Sequence, residues 1–247
     1  MSIKKIKPFF QKGKQFIFYR QHPEAALRYL PLVKILKELK LDNERILEVG
    51  SGSYGITPYL KKPIVGVDTS FSEPEYPLLK QVSGSAVNLP FSNNEFAVVI
   101  LSDVLEHLPQ KFRSPAINEA IRVSNQVVLV SGPFGKKAAD QDKRLAEYSQ
   151  QKTGQLHPFF IEHLKFGLPE VEDIIKIAQQ NKKVAEVKIV GHFFNLKWRE
   201  RLMKIFVTNK KLQYYFYLKG LMPSVPFLLR QNQQPTYRQL ILISLKK

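Results

Sequence analysis

Ile46-Leu47-Glu48-Val49-Gly50-Ser51-Gly52-Ser53-Tyr54-Gly55 decides the fold. An apolar, strand-like run ends in an acidic residue and passes into a glycine-rich turn. Glycine has no Cβ, so such a turn lets the backbone come close to a ligand. The spacing Gly50, Gly52, Gly55 fits the fingerprint of a dinucleotide-binding strand–turn–helix unit. Its meaning depends on the residues around it.

Working outward, Val65-Gly66-Val67-Asp68 has the form of a second short strand ending in an acid. Asp68 follows Glu48 by 20 residues, a natural distance for an acid that receives ribose hydroxyls. Apolar runs predict strands at 45–49, 63–67, 80–84, 96–101, 126–131, 184–190 and 239–245. Helices are expected at 23–40, 53–61, 112–124 and 170–180. Pro23 opens the first of these, and Pro31 is expected to kink or interrupt it. Residues 132–168 read as a long connection, and a loop of that length is often functional. The alternation of strands and helices points to an α/β, Rossmann-like, mostly parallel sheet with helices on both faces. Its ligand crevice lies outside the strand C-terminal ends.

Further along stand Ser83-Gly84-Ser85-Ala86-Val87-Asn88-Leu89-Pro90-Phe91 and the strand Ala97-Val98-Val99-Ile100-Leu101. Directly after them comes Ser102-Asp103-Val104-Leu105-Glu106-His107-Leu108-Pro109. With the glycine turn and Asp68, this ordered set, from about 44 to 131, resembles the class I S-adenosylmethionine-dependent methyltransferases. The likeness is greatest to the small-molecule branch with Leu-Pro-Phe and Asp-x-Leu-Glu-His-Leu segments. The resemblance implies a seven-stranded sheet whose last two strands form an antiparallel end. A helical insertion at about 194–230 is inferred before the last strand. It also implies S-adenosylmethionine as cofactor. Gly50, Ser51 and Gly52 would face its amino-acid end, and Glu48 its amino group, directly or through water. Asp68 and Thr69 would serve the ribose, Ser85 and Ala86 the adenine, and Ser102 and Asp103 would line the pocket. The family usually has Asp where Ser85 stands, and a hydroxyl is a weaker acceptor than a carboxylate. A nicotinamide-binding domain would explain the glycines and Asp68, but not Glu48 or the 102–109 segment.

His107 is the candidate catalytic group, because methylating a hydroxyl requires a proton to leave and imidazole suits a base near neutral pH. Many relatives work by proximity and orientation alone. Tyr148, His157 and Phe159 are candidate substrate contacts, in a segment expected to overhang the crevice. His157, Glu162 and His163 match no strong metal motif and the chain has no cysteine, so no metal site is expected.

Composition bounds the rest. The 247 residues carry a net charge of +17, 44% hydrophobic and 11% aromatic content, which fits a folded α/β domain. Without cysteine there is no disulfide framework, consistent with a cytoplasmic setting. The N-terminus lacks the pattern of a signal peptide, and no apolar run approaches a membrane span. Charge is uneven: residues 1–40 hold +8, 41–180 hold −3 and 181–247 hold +12. One methyltransferase domain is expected. It divides into a basic helical extension (1–40), a cofactor-binding core (41–193), a basic aromatic insertion (194–230) and a last strand (231–247). Basic ends imply an anionic partner, a membrane surface or a nucleic acid, or only a solvated surface. In the insertion, Phe194, Trp198, Leu202, Ile205 and Phe206 recur at helical spacing among Lys197, Arg199, Arg201 and Lys204. That pattern suits a membrane interface, a packed core or a dimer face. The expected activity is methyl transfer to oxygen or carbon of a small or lipid-like acceptor. An RNA methyltransferase, or a binding module that has lost catalysis, are the alternatives.

Overall fold

The computed structural model describes residues 23–71, 76–208 and 225–246; the side chains of Pro23, Glu24, Pro158 and Phe159 are not among what is described. Helix α1 (Pro23–Glu38) leads into β1 (Ile46–Val49), the short α2 (Thr57–Leu60), β2 (Ile64–Asp68), β3 (Leu79–Ser83) and β4 (Phe96–Ser102). A 3-10 turn (Leu105–His107) precedes α3 (Gln110–Val123) and β5 (Ser124–Pro133). Then come α4 (Lys136–Thr153), α5 (Pro158–Phe166), α6 (Val171–Gln179), β6 (Val184–Asn195), α7 (Leu196–Thr208), α8 (Val225–Arg230) and β7 (Thr236–Leu245).

The strands form one seven-stranded sheet in the order β3-β2-β1-β4-β5-β7-β6. The first five are parallel, and β7 runs antiparallel to both β5 and β6. Strand order reverses between β1 and β4, which is where a parallel sheet opens a crevice at its C-terminal edge. The expected mostly parallel sheet with an antiparallel end is therefore present.

Alternation along the strands builds two cores, because successive side chains point to opposite faces. On β4, Val99 and Leu101 join Ala116, Ile117, Ala120 and Ile121 of α3 and Ile174 and Ala178 of α6. Val98 and Ile100 join Tyr29, Leu32 and Leu36 of α1 on the other face. Helix α1 is thus a covering layer of the sheet, although it falls in the stretch read from sequence as an extension. It also continues through Pro31 without the interruption that was one of the two expectations there. An interior proline costs about 3 kcal/mol. Complete burial of side chains such as Leu32 and Leu36 returns about 2 kcal/mol each.

Two further expectations change. The 132–168 connection is not a loop but holds α4 and α5. In the insertion, Trp198 and Leu202 of α7, with Phe194 before it, pack against Ala26 and Leu27 of α1 and Val225 and Leu228 of α8. Trp198 also meets Phe227 edge-on at 5.2 Å. Most of that aromatic stripe is therefore joined to the fold. The aromatic residues around Phe9 and Tyr214-Tyr215-Phe216-Tyr217 lie outside the described residues.

Candidate active site

The glycine turn follows β1 as the sequence reading requires. Gly50, Gly52 and Gly55 all have positive φ, at 70°, 54° and 53°. At Gly55 the reason is local, because a Cβ there would collide with Glu48 Oε2. A Cβ on Gly52 would meet nothing within 4 Å, so the backbone there fronts open space. Gly52 N donates to Asp68 Oδ2 at 2.9 Å, and Thr69 N donates to Asp68 Oδ1 at 2.7 Å. These bonds fix the carboxylate at the end of β2 beside the turn. Thr69 Oγ1 and Ser70 N also approach Oδ1, at 3.4 and 3.5 Å, so Oδ2, with the single bond from Gly52, is the oxygen with capacity for a ligand's hydroxyl. Ser85 and Ala86 follow β3, where Val87 N approaches Ser85 Oγ at 3.4 Å. Ser51, Gly52, Asp68, Thr69, Ser85 and Ala86 thus all stand on the loops that leave the C-terminal ends of β1, β2 and β3.

Three acids behave differently from one another. Glu48 is fully buried; Ile56 N donates to its Oε2 at 2.7 Å, while Oε1 has no partner of hydrogen-bonding geometry. Burial raises its pKa to about 7, against the bond from Ile56 and the influence of the Tyr29 hydroxyl and Arg28. It braces the glycine turn from beneath, where the sequence reading had it meet the cofactor's amino group. Asp103, expected to line the pocket, is instead held by two guanidinium groups. Arg238 grips both carboxylate oxygens, with Nη2–Oδ2 at 2.7 Å, and Arg28 Nη2 lies 2.5 Å from Oδ2. Burial opposes ionisation of Asp103, but the two arginine charges outweigh it and bring the pKa down to about 2. Ser102 beside it is buried, and its Oγ has no hydrogen-bond partner.

Glu106, in the same segment after β4, is 1% exposed with Oε2 unpartnered. Burial and the neighbouring Asp103 charge raise its pKa to about 8. His107 is half-exposed, and its Nδ1 lies 2.5 Å from Glu162 Oε2 on α5. His163, also on α5, is buried, with Nδ1 2.8 Å from Asp142 Oδ2 on α4. Tyr237 Oη donates to the same Asp142 oxygen at 2.8 Å, and Arg199 Nη2 lies 2.7 Å from its Oδ1. Arg113 ties the assembly together: its Nε donates to Leu105 O and Leu108 O, and its Nη2 to Phe166 O and Gly167 O. One side chain thereby fixes both the 3-10 turn and the end of α5.

Of the expected substrate contacts, Tyr148 and His157 both adjoin Phe160 of α5. Tyr148 lies under Lys204 Nζ at 5.5 Å, and the His157 ring is 6.2 Å from the rings of both Phe160 and Phe206. The Phe159 side chain lies outside the described residues. Sequence reasoning missed Arg28, Arg113, Asp142 and Arg238. Each meets at least one partner more than 20 residues away, beyond the reach of a local pattern.

Residues 47–127 match the family model for a methyltransferase domain. That stretch takes in the glycine turn, Asp68 and the Ser102–Pro109 segment, so this part of the chain is similar to a methyltransferase domain. Among solved structures, a putative methyltransferase from an antibiotic biosynthesis pathway of Anabaena variabilis superimposes with a TM-score of 0.55 at 14% identity. That match covers 89% of this chain and 99% of the other. Magnesium protoporphyrin IX methyltransferase of Synechocystis, solved with bound SAH, gives 0.51 at 12% identity, over 93% and 84%. YcgJ of Bacillus subtilis gives 0.52 at 14% identity, over 87% and 98%. At these identities the likeness is one of fold. No curated protein matches the chain. The residues of the turn fit the cofactor that the resemblance implies: Gly52 leaves a cradle that a Cβ would occupy, and Asp68 stands fixed beside it as an acceptor.

Proposed function

We propose that this methyltransferase moves the sulfonium methyl of S-adenosylmethionine onto an oxygen of a small or lipid-like acceptor. The carrying observation is the placement of Glu106 and His107 immediately after β4, the strand that flanks the glycine-turn strand β1. The sulfonium–methyl bond breaks as the oxygen–methyl bond forms, leaving the thioether S-adenosylhomocysteine and one proton. Gly50, Ser51 and Gly52 take the amino-acid end of the cofactor, Asp68 and Thr69 the ribose, and Ser85 and Ala86 the adenine. Glu48 and Asp103 brace this pocket from below, with Ser102. His107 stands beside the acceptor hydroxyl, its ring held by Glu162, and α5 with His157 and nearby Tyr148 covers the acceptor.

Calorimetric titration with S-adenosylmethionine, S-adenosylhomocysteine and NADH tests the pocket. Micromolar binding of the first two, weakened at least tenfold in Asp68→Ala, is expected. Unchanged affinity in that variant would sink the pocket assignment. Binding of neither would favour a module that has lost catalysis. Product analysis showing methyl on carbon would overturn the choice of oxygen.

A second reading concerns location. Among the described residues no helix is long and apolar enough to cross a membrane. Yet Phe227 and Ile205 are exposed beside a basic surface. A cavity of about 560 Å³ between α4 and α7 is lined by Lys137, Arg144, Lys197 and Arg201, with Glu200 among them. These features, with the +12 of residues 181–247, support docking on an anionic membrane from the cytoplasmic side. Flotation with phosphatidylglycerol vesicles, but not with phosphatidylcholine vesicles, is the expected result. Salt-sensitive retention of transfer RNA on filters without flotation would point to RNA instead.

A further inference from the structure

Glu106, His107 and His163 each offer a ligand atom, and the three atoms lie within 4.8 Å of one another. They come from two places in the chain, the 3-10 turn after β4 and helix α5, which Arg113 clamps together. Two imidazoles and one carboxylate are a donor set that first-row transition ions favour over calcium or magnesium. Each histidine also has the support that metal-binding histidines need. Glu162 lies on Nδ1 of His107 at 2.5 Å, and Asp142 lies on Nδ1 of His163 at 2.8 Å. A carboxylate on Nδ1 fixes the tautomer and ring orientation and makes Nε2 the more basic nitrogen. The third donor supplies an independent sign: Glu106 is 1% exposed, and its Oε2 has no hydrogen-bond partner. A buried carboxyl oxygen with nothing to accept from costs free energy, which a bound cation would recover.

The neighbouring cations do not fill that role. Arg28 and Arg238 are both on Asp103, and Arg199 is on Asp142 and Gln141.

We propose that Glu106, His107 and His163 form a binding site for one divalent transition-metal ion, such as Zn²⁺, Mn²⁺ or Co²⁺. With three protein donors the ion keeps open positions toward the half-exposed His107 side. Resting on the methyl-transfer reading, those positions hold the acceptor hydroxyl and acidify it. His107 is then a ligand and not a general base, since the ion takes the Nε2 lone pair a base would need. The absence of a metal motif in the sequence is no obstacle, because folding brings His163 to Glu106 and His107 from more than 50 residues away.

The test uses the full chain after chelation and does not depend on activity. Co²⁺ titration is followed by its visible absorption, and Zn²⁺ and Mn²⁺ titrations by calorimetry. One equivalent should bind with micromolar or tighter affinity. His107→Ala lies half at the surface and Glu106→Gln keeps the side-chain shape. Each should lose at least tenfold in affinity while melting as a folded protein. His163→Ala is informative only if it folds, so the first two variants carry the decision. No stoichiometric binding of any of the three ions, or binding kept intact in both variants, overturns the site. Failure of the S-adenosylmethionine titration would instead overturn the transferase reading and leave this one standing.

Discussion

Glu48 holds its proton to about pH 7 because a fully buried carboxylate loses its hydration and gains one strong bond, from Ile56 N, in return. In the unfolded chain the same group ionises near 4.5. Below 4.5 it is protonated in both states and contributes no pH dependence. Between 4.5 and 7 the unfolded chain has released a proton that the folded one keeps, so stability falls as pH rises and levels off above 7. The full effect is about 3 kcal/mol. Glu106 acts in the same direction up to about pH 8. Glu48→Gln keeps an acceptor for Ile56 N and removes the titration. Urea unfolding at pH 5 and pH 8 should show the wild type losing about 3 kcal/mol more than this variant. Parallel pH profiles would show that Glu48 is not held as a neutral acid. The same residue shows what a sequence pattern conveys. The acid after an apolar run was legible because the glycine turn is local. Its burial was not, because Ile56 and α1, which close over it, are placed by tertiary packing.

At the scale of elements, single long side chains fix where helices end and what they face. Lys183 Nζ donates to Ile121 O at 2.7 Å, Arg122 O at 3.2 Å and Ser124 O at 2.9 Å, capping the C-terminal end of α3 where carbonyls lack intrahelical partners. Lys183→Met keeps the stem and removes the donors, and should cost about 2 kcal/mol in thermal unfolding. A loss under a few tenths would mean that water replaces the ammonium. Arg113 joins two elements, and its planar fork reaches four carbonyls that a lysine cannot reach together. Arg113→Lys should weaken Co²⁺ affinity about tenfold, the scale of an outer-shell change, with the fold retained. Unchanged affinity would mean that α5 and the 3-10 turn hold their places without it. Strands β1, β2 and β4 were readable because buried parallel strands are largely continuous apolar runs. Helix α4 was not. Its sequence is largely charged, and its buried face includes Gln141, Asp142 and Ser149, held by hydrogen bonds and an ion pair rather than by apolar periodicity.

Across the whole molecule, Asp103 gathers the beginning, middle and end of the described chain into one point. Arg28 comes from α1, Asp103 from the end of β4, and Arg238 from β7, the strand placed between β5 and β6. Asp103 adopts a φ of 56°, strained for a residue with a Cβ, and its N–H donates to Ser131 O at 2.9 Å. No pattern in the sequence could announce this, since the three residues are separated by 75 and 135 positions. The charges were legible only as a net balance, which says nothing of who meets whom. Removing the acid leaves two guanidinium groups facing each other at the base of the crevice, Arg238 being almost wholly buried. Breaking one side of a buried pair costs about 3–5 kcal/mol. Asp103→Ala should therefore lose about that much in urea unfolding at pH 7, where the wild-type carboxylate is fully ionised. The pH dependence has the opposite sign to that of Glu48. The contribution of Asp103 is complete above 3.8, its ordinary value, and is lost as pH falls toward about 2. In the difference between wild type and Asp103→Ala, stability should shrink over that acid window. A variant as stable as the wild type at pH 7 would mean that the two arginines find water or other acceptors, and that the three segments are held by the sheet alone.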